Sequence, residues 1–194
     1  KYPDLCGLNV TIPYKELVIS LLDQLDETAR EVGAVNCIKM LSDGRLMGYN
    51  TDVTGFERSL SRMEGWSPGL GEALILGTGG ASKAVAYVLR KLQVPFHCVS
   101  RNPSSEQEIE YENLNRVAGN SRLVINTTPL GTYPEINQMP PFPLEMFQNG
   151  MFVFDLIYNP AETLLLREAK NRGCVVKNGL EMLELQAEAA WKIW

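Results

Sequence analysis

Apolar positions recur with two different rhythms along the chain, and the rhythm changes near residue 73. Before that point, 9–12 reads as a short strand that meets Pro13. Leu17, Val18, Leu21, Leu22 and Leu25 then recur at helical spacing, so a helix is predicted over 13–25. A second helical stretch over 27–32 leads into an apolar run over 34–41. The turn Ser42-Asp43-Gly44-Arg45 and a returning strand over 45–49 predict a hairpin. A helical pattern over 53–63 ends in the glycine- and proline-bearing loop 64–71.

From Ala73 onward, short apolar runs alternate with helical patterns. Strands are predicted over 73–76, 96–100, 123–126, 151–155 and 174–177, with a helix opened by the turn 77–82 and running to about Leu92, a helix over 163–171 and another after Gly179. That alternation predicts an α/β fold, a Rossmann-like doubly wound parallel sheet. The connection 101–122 is poor in apolar periodicity, so its helix is predicted to be short or missing. Five prolines make 129–143 an irregular loop.

Composition narrows the function classes. A length of 194 residues suits one large domain or two small ones. The net charge of −5 comes from interspersed acidic and basic residues, so there is no basic stripe for nucleic acid. No apolar run approaches a membrane span, and no signal-peptide pattern opens the chain. Cys6, Cys37, Cys98 and Cys174 are scattered, which predicts reduced thiols in a cytoplasmic protein. No Cys/His cluster offers a metal site.

A strand, the turn Gly77-Thr78-Gly79-Gly80-Ala81-Ser82 and a helix form the layout that holds a pyrophosphate on backbone N–H groups. Gly77 would make the tight turn and Gly79 would admit the phosphates. Ser82 stands where a third glycine is usual, so the fingerprint is imperfect. At the next strand end an NAD site wants an acidic residue. Here Ser100-Arg101-Asn102 offers a guanidinium fork instead, which favours NADP; the bland alternative is a solvated loop arginine.

Redox chemistry at a carbonyl needs a proton donor and acceptor. His97, the single histidine, lies mid-strand and reads as a packing residue. Tyr87-x-x-x-Lys91 imitates a tyrosine–lysine pair but sits on the helix after the glycine turn, pointing away from the reacting end. Lys15 and Asp52 remain, each at a strand-to-helix transition. Pro13 as a first helical residue would put Lys15 at the positive end of a helix dipole. There an ammonium is disfavoured and its pKa falls toward neutrality. The alternative is a solvated lysine; spacing alone does not show that Lys15 and Asp52 meet.

Asn9-Val-Thr-Ile-Pro-Tyr-Lys15, Gly33-Ala-Val-Asn36, Gly48-Tyr-Asn-Thr-Asp52 and Gly77-Thr-Gly-Gly-Ala-Ser82 occur in this order in shikimate dehydrogenases. So do Ile125-Asn-Thr-Thr128, Asp155-Leu-Ile-Tyr158 and Gly179-Leu-Glu-Met-Leu183 with Gln186. The chain resembles that family over essentially its whole length. The resemblance implies NADP-dependent, reversible conversion of 3-dehydroshikimate to shikimate in aromatic amino-acid biosynthesis. It implies Lys15 and Asp52 as the catalytic pair, with Thr11, Asn36, Tyr158 and Gln186 around the substrate. Gly77, Gly79, Gly80, Ala81, Ser100, Arg101 and Asn102 match cofactor positions, and Thr127, Leu156, Gly179 and Met182 the nicotinamide end. It divides the chain into an NADP domain, 52–178, and an incomplete substrate domain, 1–51 with 179–194.

Three departures accompany the resemblance. Family members carry about fifty further N-terminal residues, with a serine pair that grips the substrate carboxylate, and more C-terminal helix. A truncated chain of reduced or no activity, with an unprotected sheet edge, is therefore expected. The family often has a second basic residue beyond Arg101, where Ser105 stands, and the segment after Asn102 is short. The alternatives are a quinate/shikimate dehydrogenase with relaxed NAD/NADP use and a non-catalytic nucleotide-binding module. The expected state is a monomer or homodimer.

Overall fold

Two sheets share the chain in the computed structural model, which describes residues 4–103, 105 and 108–194. The first contains β1 (Gly7–Asn9), β2 (Gln24–Leu25), β3 (Cys37–Met40) and β4 (Leu46–Tyr49), in the order β1-β3-β4-β2. β3 and β4 form the expected antiparallel hairpin, with Ile38 opposite Gly48. Helix α1 (Glu27–Val32) is closed at both ends by its own sequence. Asp26 Oδ1 accepts the Ala29 N–H at 2.8 Å, and Gly33 takes the left-handed conformation, φ +69°.

Helix α2 (Asp52–Ser61) leads to the second sheet, whose strands are all parallel. Its members are β5 (Glu72–Leu76), β6 (Phe96–Ser100), β7 (Glu108–Glu110), β8 (Ser121–Asn126), β9 (Phe152–Asp155) and β10 (Val175–Lys177). From one edge to the other they run β7-β6-β5-β8-β9-β10. The chain leaves β5 in one direction and resumes on its other side at β8. This is the doubly wound order, and its crevice opens at the carboxyl ends of β5 and β8. Helices α3 (Gly80–Lys91), α4 (Leu164–Lys170) and α5 (Leu180–Ile193) complete the fold.

The period-2 alternation of β5 builds both layers. Ala73 and Ile75 join a core with Val53, Phe56 and Leu60 of α2 and Val85, Val88 and Leu89 of α3. Leu74 and Leu76 join the opposite core with Leu165, Leu166 and Ala169 of α4 and with Phe142 and Phe147. Each large apolar side chain so buried contributes about 1.5–3 kcal/mol. Helix α5 lies so close to α2 that a Cβ on Gly55 would stand 2.6 Å from the Met182 carbonyl oxygen.

One expectation needs correction, and one segment holds a strand that was not expected. No α-helix spans 13–25: the Ile12–Pro13 peptide is cis, the Tyr14 N–H closes a turn on the Thr11 oxygen at 2.9 Å, and only a 3-10 turn, Leu17–Leu21, follows. Pairing with β4 takes Gln24 and Leu25 as β2, while Leu17 and Leu21 are left exposed. The helical spacing there therefore has no continuous face to bury. The segment 101–122 does lack an α-helix, but it holds the strand β7, followed by 3-10 turns over Tyr111–Arg116 and Ala118–Asn120.

All four cysteines are free thiols, and burial pushes those of Cys37 and Cys174 up to about 11. Among the described residues, no helix is long and apolar enough to cross a membrane, and no His, Cys, Asp and Glu group could hold a metal ion.

Candidate active site

The crevice holds two clefts that share a wall. The first, about 610 Å³, lies over the carboxyl ends of β5 and β6. Gly77 makes its tight turn at φ +109°, a conformation that a side chain resists. A Cβ there would also stand 2.8 Å from Thr127 Oγ1. Thr127 is fixed in turn, since its N–H and hydroxyl both donate to the Leu76 oxygen, at 3.0 and 2.8 Å. Gly79 is the N-cap of α3, with no atom within 4 Å of where its Cβ would be. The first-turn N–H groups of this twelve-residue helix, at Gly80 and Ala81, thus sit at the floor of the cleft.

Ser82 is buried, and its hydroxyl donates to the Gly79 oxygen at 2.6 Å, so the departure from the third glycine is accommodated internally. Ser100, Arg101 and Asn102 line the far end of the same cleft. Among the described lining residues the only carboxylate is Glu16, which is held by Lys83 Nζ at 2.6 Å. An open backbone floor, a helix N-terminus and an exposed Arg101 fit a dinucleotide with a 2′-phosphate.

The second cleft, about 720 Å³, contains all six residues expected around the substrate: Thr11, Lys15, Asn36, Asp52, Tyr158 and Gln186. It also contains Thr127, Leu156, Gly179 and Met182 from the expected nicotinamide end. Lys15 and Ala81 line both clefts, so Lys15 stands where the two meet. It reaches this point past Gly80, whose Cβ would lie only 3.3 Å from that of Lys15.

The pair that sequence spacing left open is formed. Lys15 Nζ donates to Asp52 Oδ2 at 2.6 Å, with the two side chains 14% and 7% exposed. Asn36 Nδ2 donates to Asp52 Oδ1 at 2.9 Å, so each carboxylate oxygen has a partner. Asn36 is itself clamped, because its Oδ1 accepts the Thr51 N–H at 2.7 Å. Gln186 Oε1 accepts from Asn36 Nδ2 at 3.2 Å and brings α5 into the cluster. The dipole expectation is reversed: Lys15 precedes a 3-10 turn, while Asp52 begins the ten-residue α2, whose positive end favours a carboxylate. A nearly buried pair with bonded oxygens costs about 3–5 kcal/mol to break by removing one partner.

Residues 1–38 match the family model described as the shikimate dehydrogenase substrate binding domain. The chain is 38% identical over 209 residues to the shikimate dehydrogenase (NADP(+)) of Desulforamulus reducens, covering 98% of this chain and 72% of that protein. The chain belongs to the shikimate dehydrogenase family. The Thermus thermophilus shikimate 5-dehydrogenase, solved with NADP(H) and shikimate, superposes with a TM-score of 0.85 at 35% identity, covering 99% and 74% of the two chains. The Corynebacterium glutamicum quinate dehydrogenase, solved with NAD, superposes at 0.86 and 30% identity, covering 99% and 73%.

Sequence reading missed part of what this shikimate dehydrogenase family member places around its clefts. Thr128 and Pro129 line both, and Tyr133 and Asn159 line the second. Behind them lies Asp155, fully buried at the end of β9 and in register with Asn126 of β8. Its carboxylate accepts from Asn126 Nδ2 at 2.9 Å, the Ile157 N–H at 3.1 Å and Thr163 Oγ1 at 2.6 Å. Burial pushes this carboxyl up to about 6, against the lowering effect of those three bonds. Asn126 Oδ1 accepts from Thr128 N and Oγ1 at 2.9 and 2.7 Å, so the network reaches the shared wall of the clefts. The motifs around Asn126 and Asp155 were the available signal; their mutual contact was not legible.

Neither alternative proton carrier lines a cleft, and His97, about a third exposed, is not the packing residue that its place in the strand predicts. His97 Nε2 lies 3.7 Å from Glu72, away from both clefts. Lys91 pairs with Glu57 of α2 at 2.8 Å rather than with Tyr87.

Proposed function

We propose that this chain catalyses the NADP-dependent, reversible reduction of 3-dehydroshikimate to shikimate. The observation that carries the reading is the Lys15–Asp52 pair at the junction of the two clefts. Gly77, Gly79, Gly80 and Ala81 would hold the pyrophosphate, Arg101 with Ser100 and Asn102 the 2′-phosphate, and Thr127, Leu156, Gly179 and Met182 the nicotinamide. When bound there, NADPH supplies the hydride that the ketone carbon requires.

The chain supplies the proton and the position. In reduction, the Lys15 ammonium gives a proton to the ketone oxygen as that oxygen becomes a hydroxyl. In the reverse direction the neutral amine takes the hydroxyl proton back. Asp52 holds Lys15 in place and balances its charge, while Asn36, itself pinned by Thr51, prevents the carboxylate from rotating away. Thr11, Asn36, Gln186 and Tyr158 bind the remaining hydroxyls of the substrate. In this reading 1–51 with 179–194 carries the substrate and 52–178 the cofactor. The protein acts in the cytoplasm, as a monomer or homodimer.

The C. glutamicum relative favours one second reading, quinate oxidation with NAD. Arg101, and the absence of an acid in Ser100-Arg101-Asn102, argue against NAD. Initial rates of NADPH and NADH oxidation with 3-dehydroshikimate separate the two. The expected result is a preference for NADPH of tenfold or more, about 1.4 kcal/mol or more in transition-state binding. Equal use of NADH would overturn the role of Arg101, and absence of turnover with either would replace the enzyme by a nucleotide-binding module.

A further inference from the structure

The strand that the sequence did not reveal puts a tyrosine beside the cofactor-selecting arginine. β6 and β7 pair in parallel with Cys98 opposite Glu108, Val99 opposite Ile109 and Ser100 opposite Glu110. The next residues of the two chains are Arg101 and Tyr111, which therefore leave neighbouring carboxyl ends at the same level, one strand spacing of about 4.8 Å apart. Both line the first cleft. The Tyr111 ring packs against the apolar core that contains Leu74, Leu76 and Val99, which fixes its position.

Its surroundings leave the hydroxyl available. The Tyr111 hydroxyl has no hydrogen-bond partner among the described residues. Burial pushes its phenol up to about 12, against the lowering influence of the Arg101 guanidinium. The group therefore stays a neutral O–H donor at any working pH, close enough to Arg101 to feel its charge. The two carboxylates that flank it in sequence, Glu110 and Glu112, do not line the cleft, and Glu110 receives a bond from Asn113 Nδ2 at 3.4 Å. Arg101 is the one cation among the described residues at this end of the cleft, since Lys15, the other that lines it, stands at the junction with the second cleft.

We infer that the Tyr111 hydroxyl is the second donor to the 2′-phosphate and, together with Arg101, selects NADP over NAD. The inference rests on the NADP reading above. A phosphate monoester has three acceptor oxygens, more than one guanidinium fork can satisfy, and a preorganised phenol beside the fork can take another.

The test compares binding of adenosine 2′,5′-bisphosphate with that of 5′-AMP, by calorimetric titration of the wild-type protein and of Tyr111→Phe. The Phe variant keeps the ring in its core, and an unchanged melting temperature checks that it does. The expected result is a loss of roughly tenfold or more in affinity for the bisphosphate, as for a hydrogen bond to a charged group, with 5′-AMP within about twofold. Unchanged bisphosphate affinity would overturn the inference, as would equal weakening of both ligands, which would make Tyr111 a wall of the cleft only. Failure of the underlying reading has a different signature: a wild-type protein that binds the two ligands equally. Arg101→Ala is the companion variant, expected to lose the same selectivity by a larger factor.

Discussion

Asp155 makes the stability of this protein depend on pH in a direction opposite to most carboxylates. The group is fully buried, and its carboxyl is pushed from the ordinary 3.8 up to about 6. Between those values the folded chain holds a proton that the unfolded chain has released. The contribution is therefore complete below about pH 4 and is lost as pH rises through about 6. At about 1.4 kcal/mol for each unit of pH, the loss is on the order of 3 kcal/mol. Asp155→Asn is permanently neutral and keeps an oxygen for Asn126 and Ile157, while its amide can donate to Thr163 Oγ1. Urea unfolding of both proteins at a series of pH values isolates the effect, because every other titrating group is common to the two. The wild-type advantage over Asp155→Asn should shrink by about 3 kcal/mol from pH 4 to pH 8, with most of the change between pH 4 and 6.5. A difference that stays flat, or grows with pH, would refute the reasoning.

Glu181 behaves in the opposite sense. Its desolvation is outweighed by bonds from Lys177, Arg62 and Ser59, which bring its carboxyl down to about 2. That stabilisation is present above about pH 4.5 and lost as pH falls through 2. Because the side chain is 31% exposed, solvent screening discounts it, and Glu181→Gln should cost about 1 kcal/mol at pH 7 and only about a quarter of that at pH 2.5, read by chemical denaturation. Gly179→Ala should destabilise by about 1–3 kcal/mol in thermal melts, because the new Cβ would sit 2.0 Å from the Leu156 oxygen. The same variant should raise the KM for NADPH, since Gly179 and Leu156 share the wall of the second cleft.

The parallel sheet was legible because buried strands read as short apolar runs: Ala73, Leu74, Ile75 and Leu76 are all fully buried and divide between the two layers. The glycine turn was legible because Gly77 requires a conformation few residues adopt. β7 was not, since Glu108-Ile109-Glu110 offers one apolar residue on an edge strand, and Tyr111 was missed with it. The segment around Lys15 misled because apolar spacing records which residues could share a helix face, not that β4 will claim Gln24 and Leu25. No helix dipole of its own segment acts on Lys15, so what marks it in the sequence is the lack of another proton carrier rather than a place at a helix start. Long-range contacts such as Lys15 with Asp52, or Asn126 with Asp155, leave no periodic signature at all.

The central claim is that Lys15 moves the proton at the junction of the two clefts. The direct measurement is kcat for 3-dehydroshikimate reduction by Lys15→Ala, with the dissociation constant for NADPH determined on the same sample. The expected outcome is a fall in kcat of about 10²–10⁴-fold with NADPH affinity held within about threefold, as for removal of a general acid. An unchanged kcat in a variant that still binds NADPH would contradict the account.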